Sequence, residues 1–340
     1  MKHSRMLLRV LIATLFFVQF GAQRLRAQDA DTLQKAKAEG AAVFYTSAGL
    51  TEMKPLVDGF SKKFPFIKVE LYRAISEKLL NKILTEERAQ THRFDVVLTN
   101  TLELEDLIAR GLIGKYKSRE RNGYSDKDMD KDGYWTNVQS SYYVLGYNTN
   151  LVPAGSVPKD WPDLLKPLGK KNFAMDREEY NWYGAMLEYL GQEPGRRFMR
   201  QLATLDPVFH KGHTLIAQLL AAGEFSLAIV YPHRVESMKK QGAPIEWVPT
   251  IKPIIAEMGP VGIASRAPNP NSAKVLVDFI LSREGQQLLR AAGRIVPRRD
   301  VTPLAAAFDA SKLELFPLSG TVLRRRNDIA KEFNEIFNTR

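Results

Sequence analysis

Short apolar runs alternate with amphipathic segments through the first third of the chain. Short apolar or alternating runs predict strands, and apolar residues that recur every three or four positions predict helices. The predicted strands are residues 41–45, 68–72 and 94–98, and the predicted helices are residues 51–64, 76–87 and 100–110. Asn100 and Glu103 fit a capping box at the start of the third helix, and Gly111 ends it. Three βα units in succession predict a largely parallel sheet with right-handed crossovers.

The pattern changes in the middle of the chain. A charged stretch over residues 116–133 predicts a surface excursion, and residues 135–147 predict two extended segments that cross between lobes. A second α/β region follows, and residues 271–292 predict one long amphipathic helix. The other strands predicted there are residues 171–175, 227–230, 245–249 and 259–265, and the other helices are residues 182–190, 196–205 and 214–222.

Together these segments predict an α/β protein with two hinge-linked lobes and a ligand cleft between them. The chain has 340 residues, which is more than one usual domain holds. Residues 28–140, completed by about residues 259–300, are predicted to form lobe 1, and residues 141–258 are predicted to form lobe 2. Residues 301–340 are predicted as a helical tail.

The N-terminus has the form of a secretory signal peptide. Three basic residues, Lys2, Arg5 and Arg9, precede an apolar run over residues 10–20, which is too short to span a membrane. We expect cleavage after Ala27; the alternative is a buried N-terminal helix. The chain contains no cysteine, which excludes a lipid anchor, disulfides and thiolate chemistry. The predicted location is therefore the periplasm, with the protein free in that compartment.

Charge and motifs argue against nucleic-acid binding and against catalysis. The net charge of +11 includes five basic residues of the predicted signal peptide, and +6 remains without them. That excess is spread out and is not interleaved with aromatic residues. No nucleophile elbow, zinc-protease motif or phosphate-binding loop is present. His210 and His213 are separated by Gly212 and have no carboxylate close in sequence, so we expect neither a zinc site nor a cofactor.

The most informative segment is residues 223–234. Its apolar strand ends abruptly in Tyr231, His233 and Arg234, and ligands of open α/β sheets bind at the carboxyl ends of strands. Arg234 carries a donor fork that suits a carboxylate or phosphate; the alternative is a salt bridge to Glu236 or another acid. Tyr231 could equally cap the sheet edge, and His233 could equally be a solvent-facing turn residue.

Polar residues also follow the strands of lobe 1. They are Thr46, Ser47, Arg73, Ser76, Thr99 and Asn100. Hydroxyls and free N–H groups at helix starts can bind anions, although the same residues can serve only as helix caps.

In lobe 2, a strand-to-helix connection is rich in aromatic and charged residues. Asp176, Tyr180 and Trp182 could form a wall of the pocket, or the aromatics could pack the lobe. Thr214 begins a helix that could point into the cleft. Asp176 and Glu257 leave room for a ligand that carries an amine as well as an anion.

Several ordered motifs resemble a known family. They include VFYTSAG (43–49), FDVVLTNTLELEDLIARGLI (94–113), VLGYNTNLVP (144–153), AAGEFSLAIVY (221–231) and GPVGIASRAPNPNSAKVLVDFILSREGQQLL (259–289). The set resembles the extracellular solute-binding proteins of ABC importers, in the branch similar to periplasmic ferric-iron-binding proteins. The resemblance implies a type II periplasmic binding fold, a small-molecule solute and an ABC permease in the inner membrane as partner. A monomer is expected.

The residues do not carry over the family's iron ligands. The resemblance places its two adjacent tyrosines at His233 and Arg234, and its histidine after the first strand at Ser47 and Ala48. Ferric iron prefers anionic oxygen donors, and a guanidinium repels it. The predicted ligand is therefore an anionic or zwitterionic organic solute or an oxyanion. Three alternatives remain: a ferric-iron receptor with an altered ligand set, a periplasmic sensor partner, and an exported enzyme on the same fold.

Overall fold

The computed structural model describes residues 30–166, 172–309 and 312–339, so the predicted signal peptide, residues 1–27, lies outside the described residues. The helices are α1 (30–39), α2 (Leu50–Lys63), α3 (Ser76–Arg88), α4 (Thr101–Ala109), α5 (Tyr180–Leu190), α6 (Gln192–Ala203), α7 (His213–Ala222), α8 (Pro232–Lys239), α9 (Pro270–Leu281), α10 (Arg283–Ala291), α11 (Gly320–Arg324) and α12 (Arg326–Phe337). The strands are β1 (Ala41–Thr46), β2 (Lys68–Arg73), β3 (Val96–Leu98), β4 (Ile113–Gly114), β5 (Thr136–Asn148), β6 (Phe173–Asp176), β7 (Val208–His210), β8 (Leu227–Val230), β9 (Ile245–Trp247), β10 (Ile254–Ala264) and β11 (Leu315–Pro317).

Two sheets are joined by the long strand β5. The path of paired strands runs β2-β1-β3-β10-β5-β8-β6-β7, with β4 and β11 on β10 and β9 on β5. The pairs β2-β1, β1-β3, β8-β6 and β6-β7 are parallel, whereas the pairs that involve β5 are antiparallel. We refer to the part built on β2, β1, β3 and β10 as lobe 1 and to the part built on β8, β6 and β7 as lobe 2. The predicted two-lobe α/β fold is confirmed.

Strands β5 and β10 cross between the lobes side by side. The first part of β5 pairs with β10 up to Tyr143, and its last part pairs with β8 and β9 from Val144 onward. Two extended segments were expected there, but β5 is one continuous strand because its ladder passes directly from one partner to the next. Strand β10 likewise begins five residues earlier than the segment predicted from residue 259, since residues 254–256 pair with β11.

Each lobe has its own apolar core. Two clusters of buried side chains pack against the sheet of lobe 1, and one large cluster fills lobe 2. Helix α12 completes lobe 2, because its fully buried Phe333 packs on Tyr180 and Tyr183 and its Glu332 lies 2.6 Å from Arg196. Helix α11 reaches lobe 1, where Arg324 lies 3.5 Å from Glu105 of α4.

Two local predictions are wrong, and one helix was missed. The long helix at residues 271–292 is broken at Ser282, whose backbone is extended and whose hydroxyl caps α10 by accepting from the Gly285 amide. The capping box at α4 is absent, since Asn100 makes no side-chain cap. Helix α8 was not predicted, although a proline at the first helical position is a recognised helix start.

Among the described residues, no helix is both long and apolar enough to cross a membrane.

Candidate functional site

The two lobes meet where the carboxyl ends of their strands lead into helices. Helices α2, α3 and α4 follow β1, β2 and β3 in lobe 1, and helices α5, α7 and α8 follow β6, β7 and β8 in lobe 2. Ion pairs and hydrogen bonds between side chains of the two lobes lie in this cleft. They form two groups, which we name the arginine end and the carboxylate end.

The arginine end consists of Glu52, Ser141, His233, Arg234 and Arg294. Arg294 follows α10 in lobe 1 and is held in place by Ile295, which forms a bridge with Ser140 of β5. Its guanidinium donates to the Ser141 hydroxyl at 3.3 Å and lies 3.3 Å from the His233 Nε2 atom. Arg234, in the first turn of α8 in lobe 2, approaches the Glu52 carboxylate of lobe 1 at 3.6 Å. This end is therefore assembled from both lobes.

Two donors at the arginine end are left without an acceptor. Within the described part of the chain, neither Arg294 Nε nor His233 Nδ1 has a hydrogen-bond partner, although both atoms are buried. The Arg294 side chain is 11% exposed, whereas that of Arg234 is 40% exposed. Burial, reinforced by the positive charges of Arg294 and Arg234, lowers the pKa of His233 well below its usual range. His233 is therefore neutral, and this end presents buried donors to the cleft.

The Glu52 carboxylate lies between the start of α2 and the two guanidiniums. It lies in the first turn of α2, and its carboxylate is 3.6 Å from Arg234 and 3.8 Å from Arg294. The side chain folds back over Gly49, so closely that a Cβ at Gly49 would lie 2.1 Å from Glu52 Oε2. Glycine at position 49 is what allows this approach. A carboxylate at a helix N-terminus between two arginines is held as a bound anion would be.

The carboxylate end consists of Glu103, Tyr143, Asn181 and Glu257. Glu257 lies on β10 and accepts from the Tyr143 hydroxyl at 3.0 Å and from the Asn181 amide at 3.5 Å. Glu103 lies in the first turn of α4, and Arg326 of α12, 5.6 Å from the Tyr180 ring centre, acts on it electrostatically. Burial, together with the charge of Glu257, raises the pKa of Glu103 to about 7. Burial also raises the pKa of Glu257.

A row of three rings connects the two ends. His213 stacks on Tyr231 at 4.1 Å between ring centres, and Tyr231 stacks on His233 at 5.6 Å. His213 Nε2 lies 3.0 Å from the Glu179 carboxylate. Burial alone would lower the pKa of His213, but the charge and hydrogen bond of Glu179, with Asp176 nearby, raise it. Acidic partners thus favour the charged form of His213, while burial and the neighbouring arginines favour the neutral form of His233.

The structure places most of the predicted lobe 1 residues at the strand ends. Thr46 is buried and its hydroxyl accepts from the Ala48 amide at 3.0 Å, which commits it to the local turn. Ser47, Ser76 and Asn100 are half-buried. Thr99 is buried and its hydroxyl has no partner in the described chain. Arg73 is exposed. Their role in binding remains a prediction.

In lobe 2 the predicted residues divide into core and cleft. Trp182 is fully buried against Trp161, with ring centres 5.0 Å apart, so it packs the lobe and does not form a wall of the cleft. Asp176 accepts from the backbone amides of Glu178 and Gly212, which makes it a turn-forming residue. Thr214 is exposed. Tyr180 packs on α12, and Tyr231, His233 and Arg234 face other cleft residues.

Six residues of the two ends were not identified from the sequence. They are Glu52, Glu103, Ser141, Tyr143, Asn181 and Arg294. Glu103 was assigned to a capping box and Ser141 lies inside a strand, so neither carried a local signal of ligand binding. Among the described residues, no group of three or more acidic, histidine or cysteine side chains is arranged to hold a metal ion.

Comparison with known proteins agrees with this geometry. The family described as bacterial extracellular solute-binding protein matches residues 55–314. An uncharacterized protein of Haemophilus influenzae is 27% identical over 321 residues, which cover 88% of this chain and 92% of the relative. Iron-bound HitA from Pseudomonas aeruginosa has a similar fold, with a TM-score of 0.76 and 17% identity over 87% of this chain and 99% of HitA. AfuA from Actinobacillus pleuropneumoniae, with fructose-6-phosphate bound, gives a TM-score of 0.72 and 22% identity over 88% and 99%.

Since the match covers most of its length, the chain belongs to the family of bacterial extracellular solute-binding proteins. The function predicted from the sequence, that of a periplasmic solute-binding protein of an ABC importer, is confirmed at the level of the family.

Proposed function

We propose that this protein captures a small organic solute through an anionic group bound at the arginine end, and delivers it to an ABC permease. The observation that carries this proposal is the pair of guanidiniums, Arg234 and Arg294, with two buried donor atoms that lack an acceptor. An unpaired buried donor is costly, and a ligand oxygen at this position would satisfy it.

The charges at the arginine end leave one positive charge to be matched. Arg234 and Arg294 carry two positive charges, Glu52 carries one negative charge, and His233 is neutral. A solute with one carboxylate or phosphate group would bring this end close to balance.

Helix starts around the cleft support the same conclusion. None of the N-cap residues of α2, α3, α4, α5, α7 and α8 uses its side chain to cap the helix. Outside the cleft, α6, α9 and α12 are likewise without a side-chain cap, whereas Ser282 and Ser319 cap α10 and α11. Uncapped helix starts leave N–H groups and positive dipole ends available to an anion.

Ferric iron as the bare ligand fits these residues poorly. Burial raises the pKa of Tyr143 and of Tyr231 far above the usual range of a phenol, so neither is a ready phenolate. Two guanidiniums, those of Arg234 and Arg294, lie in the same cleft. A hard trivalent cation needs anionic oxygens and would be repelled by these arginines.

Binding alone accounts for the cleft without a catalytic step. The ring nitrogens of His213 and His233 contact Glu179 and Arg294, both charged groups, and among the described residues neither contacts a hydroxyl that it could activate. Closure of the lobes on the solute would then be the state that the permease recognises.

A thermal-shift panel on the purified protein, unfolded and refolded to remove carried solute, tests this proposal. The panel contains ferric citrate, phosphate, sulfate, small carboxylates, amino acids and sugar phosphates. A ligand at about a hundred times its Kd adds about 2.7 kcal/mol to the free energy of unfolding. We expect a shift with an organic acid that is largely lost in Arg294→Gln and kept in Arg266→Gln, whose side chain is exposed and pairs with Glu87 outside the cleft. A shift with iron alone would contradict the proposal.

A further inference from the structure

The geometry points to a second subsite in the cleft, at the carboxylate end, which binds an ammonium group of the solute through Glu103, Glu257 and Asn181. This inference rests on the proposed function, because it assumes that the solute already holds its anionic group at the arginine end. It makes the solute a zwitterion, with an amine at one end and a carboxylate or phosphate at the other.

The first observation is the kind of atom left unsatisfied. At the carboxylate end the buried atoms without a partner in the described chain are acceptors, Glu103 Oε2 and Asn181 Oδ1. At the arginine end they are donors, Arg294 Nε and His233 Nδ1. Buried polar groups in proteins are nearly always paired. A ligand that satisfies both sets must donate several hydrogen bonds at one end and accept them at the other, as an ammonium and a carboxylate do.

The second observation is how the acceptors converge. The start of α4 packs against β10 directly after Glu257, because the Thr99 amide donates to the Pro260 carbonyl at 3.2 Å and the Thr101 hydroxyl approaches the Met258 carbonyl at 3.5 Å. Glu103 lies one turn into this helix. Thr99 is 1% exposed and its hydroxyl also has no partner in the described chain.

Glu257 is only partly satisfied by its neighbours. Its two oxygens accept from a phenol and an amide, both neutral donors. The Asn181 amide that reaches Glu257 Oε1 leaves its own oxygen free. Asn181 lies on α5 of lobe 2, Tyr143 lies on β5 where that strand crosses between the lobes, and Glu103 and Glu257 lie on α4 and β10 of lobe 1. A cation placed here would therefore hold contacts from both sides.

The third observation is the charge. The charge of Glu257 helps to raise the pKa of Glu103, and Arg326 acts on both carboxyls in the opposite direction. His213 also lowers the pKa of Glu257, but its ring nitrogen pairs with Glu179. Arg326 lies against the Tyr180 ring and makes no ion pair with either carboxylate in the part of the chain described. The position between the two carboxyls is therefore left for a cation, and an ammonium offers three donors to acceptors that lack them.

The test compares solutes that differ only in the amine. Calorimetric titrations use ω-amino acids of two to six carbons against the matching amine-free acids, and aminoalkyl phosphates against alkyl phosphates. We expect the amino member of the best pair to bind about 10–100-fold tighter, the range expected for a charge-assisted hydrogen bond in a buried site. In Glu103→Gln that ratio is expected to fall to about 3-fold or less, while the amine-free acid binds as before.

Glu105→Gln is the matched control, because Glu105 lies on the same helix but pairs with Arg324 away from the acceptors. Equal affinity for both members of every pair would overturn the ammonium subsite while leaving the proposed function intact. Binding of putrescine, a diamine with no acidic group, would overturn the proposed anion site and leave the ammonium subsite standing. A panel in which nothing binds would count against both.

Discussion

The arginine end and the carboxylate end of the cleft join the two lobes through different contacts. At the arginine end, Glu52 of lobe 1 attracts Arg234 of lobe 2, so that contact favours closure without any ligand. At the carboxylate end, the neutral Asn181 amide of lobe 2 donates to Glu257 of lobe 1 at 3.5 Å, while burial and the charge of Glu257 raise the pKa of Glu103 within lobe 1. The first contact is an ion pair and the second is a long hydrogen bond, so the carboxylate end by itself holds the lobes together less strongly. Under the proposed function, a solute that binds both ends would therefore add most to closure at the carboxylate end.

The largest expected effect comes from breaking the arginine end. Arg294→Gln removes the more buried of the two guanidiniums, and we expect affinity for an anionic solute to fall about 100-fold because a buried charge-assisted hydrogen bond is lost. Arg234→Gln, at a side chain 40% exposed, should cost only about 10-fold. Isothermal titration calorimetry measures both.

Two further variants keep this result interpretable. Arg266→Gln serves as control, since Arg266 is 61% exposed and pairs with Glu87 outside the cleft. Arg294→Gln leaves Glu52 with one cationic partner and should therefore lower the stability of the free protein. The double variant Arg294→Gln/Glu52→Gln should regain that stability but not the affinity for the solute. Equal losses of affinity in Arg294→Gln and Arg234→Gln would show that burial does not decide which arginine contributes more to binding.

The next effect is a change of about 10-fold in affinity with pH, which arises at the carboxylate end alone. Glu103 has a pKa of about 7 in the free protein, and an ammonium binds its ionised form. Affinity for an aminated solute should therefore rise about 10-fold from pH 6 to pH 8 and level off above that. The groups that face Glu103 are Glu257 of β10, Glu77 of α3 and Arg326 of α12.

The stability of the free protein should change in the opposite direction. The folded-state pKa of Glu103 lies above its unfolded value, so the folded protein holds a proton that the unfolded chain releases. The free energy of unfolding should therefore fall as pH rises from about 4.5 to about 7, and then stay level. Acidic partners raise the pKa of His213 as well, and Glu103→Gln separates the two groups. A pH profile that Glu103→Gln leaves unchanged would assign the dependence to His213.

The sequence predicts an element of the fold well where the residues that determine it are neighbours in the chain. Strand β8 was predicted at its observed bounds because a short apolar run between Gly223 and a proline leaves little choice. The break at Ser282 was missed because the apolar spacing continues across it. Serine is nevertheless a preferred N-cap residue, and here its hydroxyl accepts from a backbone amide three residues later. Trp182 was placed in the cleft because an aromatic after a strand gives the same signal whether it faces ligand or core.

The site was predictable only where it sits at strand ends. Tyr231, His233 and Arg234 follow a buried strand, and that position alone marks them. Arg294 and Asn181 come from segments far apart in sequence, and they meet the others only because β5 and β10 cross between the lobes. No periodicity or motif contains that information. The sequence therefore predicted an anion site and left room for an amine near Glu257, but it did not identify Glu103 or Asn181.

The smallest expected effect is a gain of about 3- to 10-fold in affinity for an anionic solute, caused by a substitution at the arginine end. Glu52→Gln removes the carboxylate that lies between α2 and the two guanidiniums, so an anionic solute no longer competes with it. Asp58→Asn is the matched control, because Asp58 lies on the same helix but pairs with Lys54 in solvent. The free variant should also be more open by small-angle scattering, since one contact between the lobes is lost. A loss of affinity in Glu52→Gln would instead mean that Glu52 contacts a cationic part of the solute, and the two ends would then carry the same sign of charge toward the ligand.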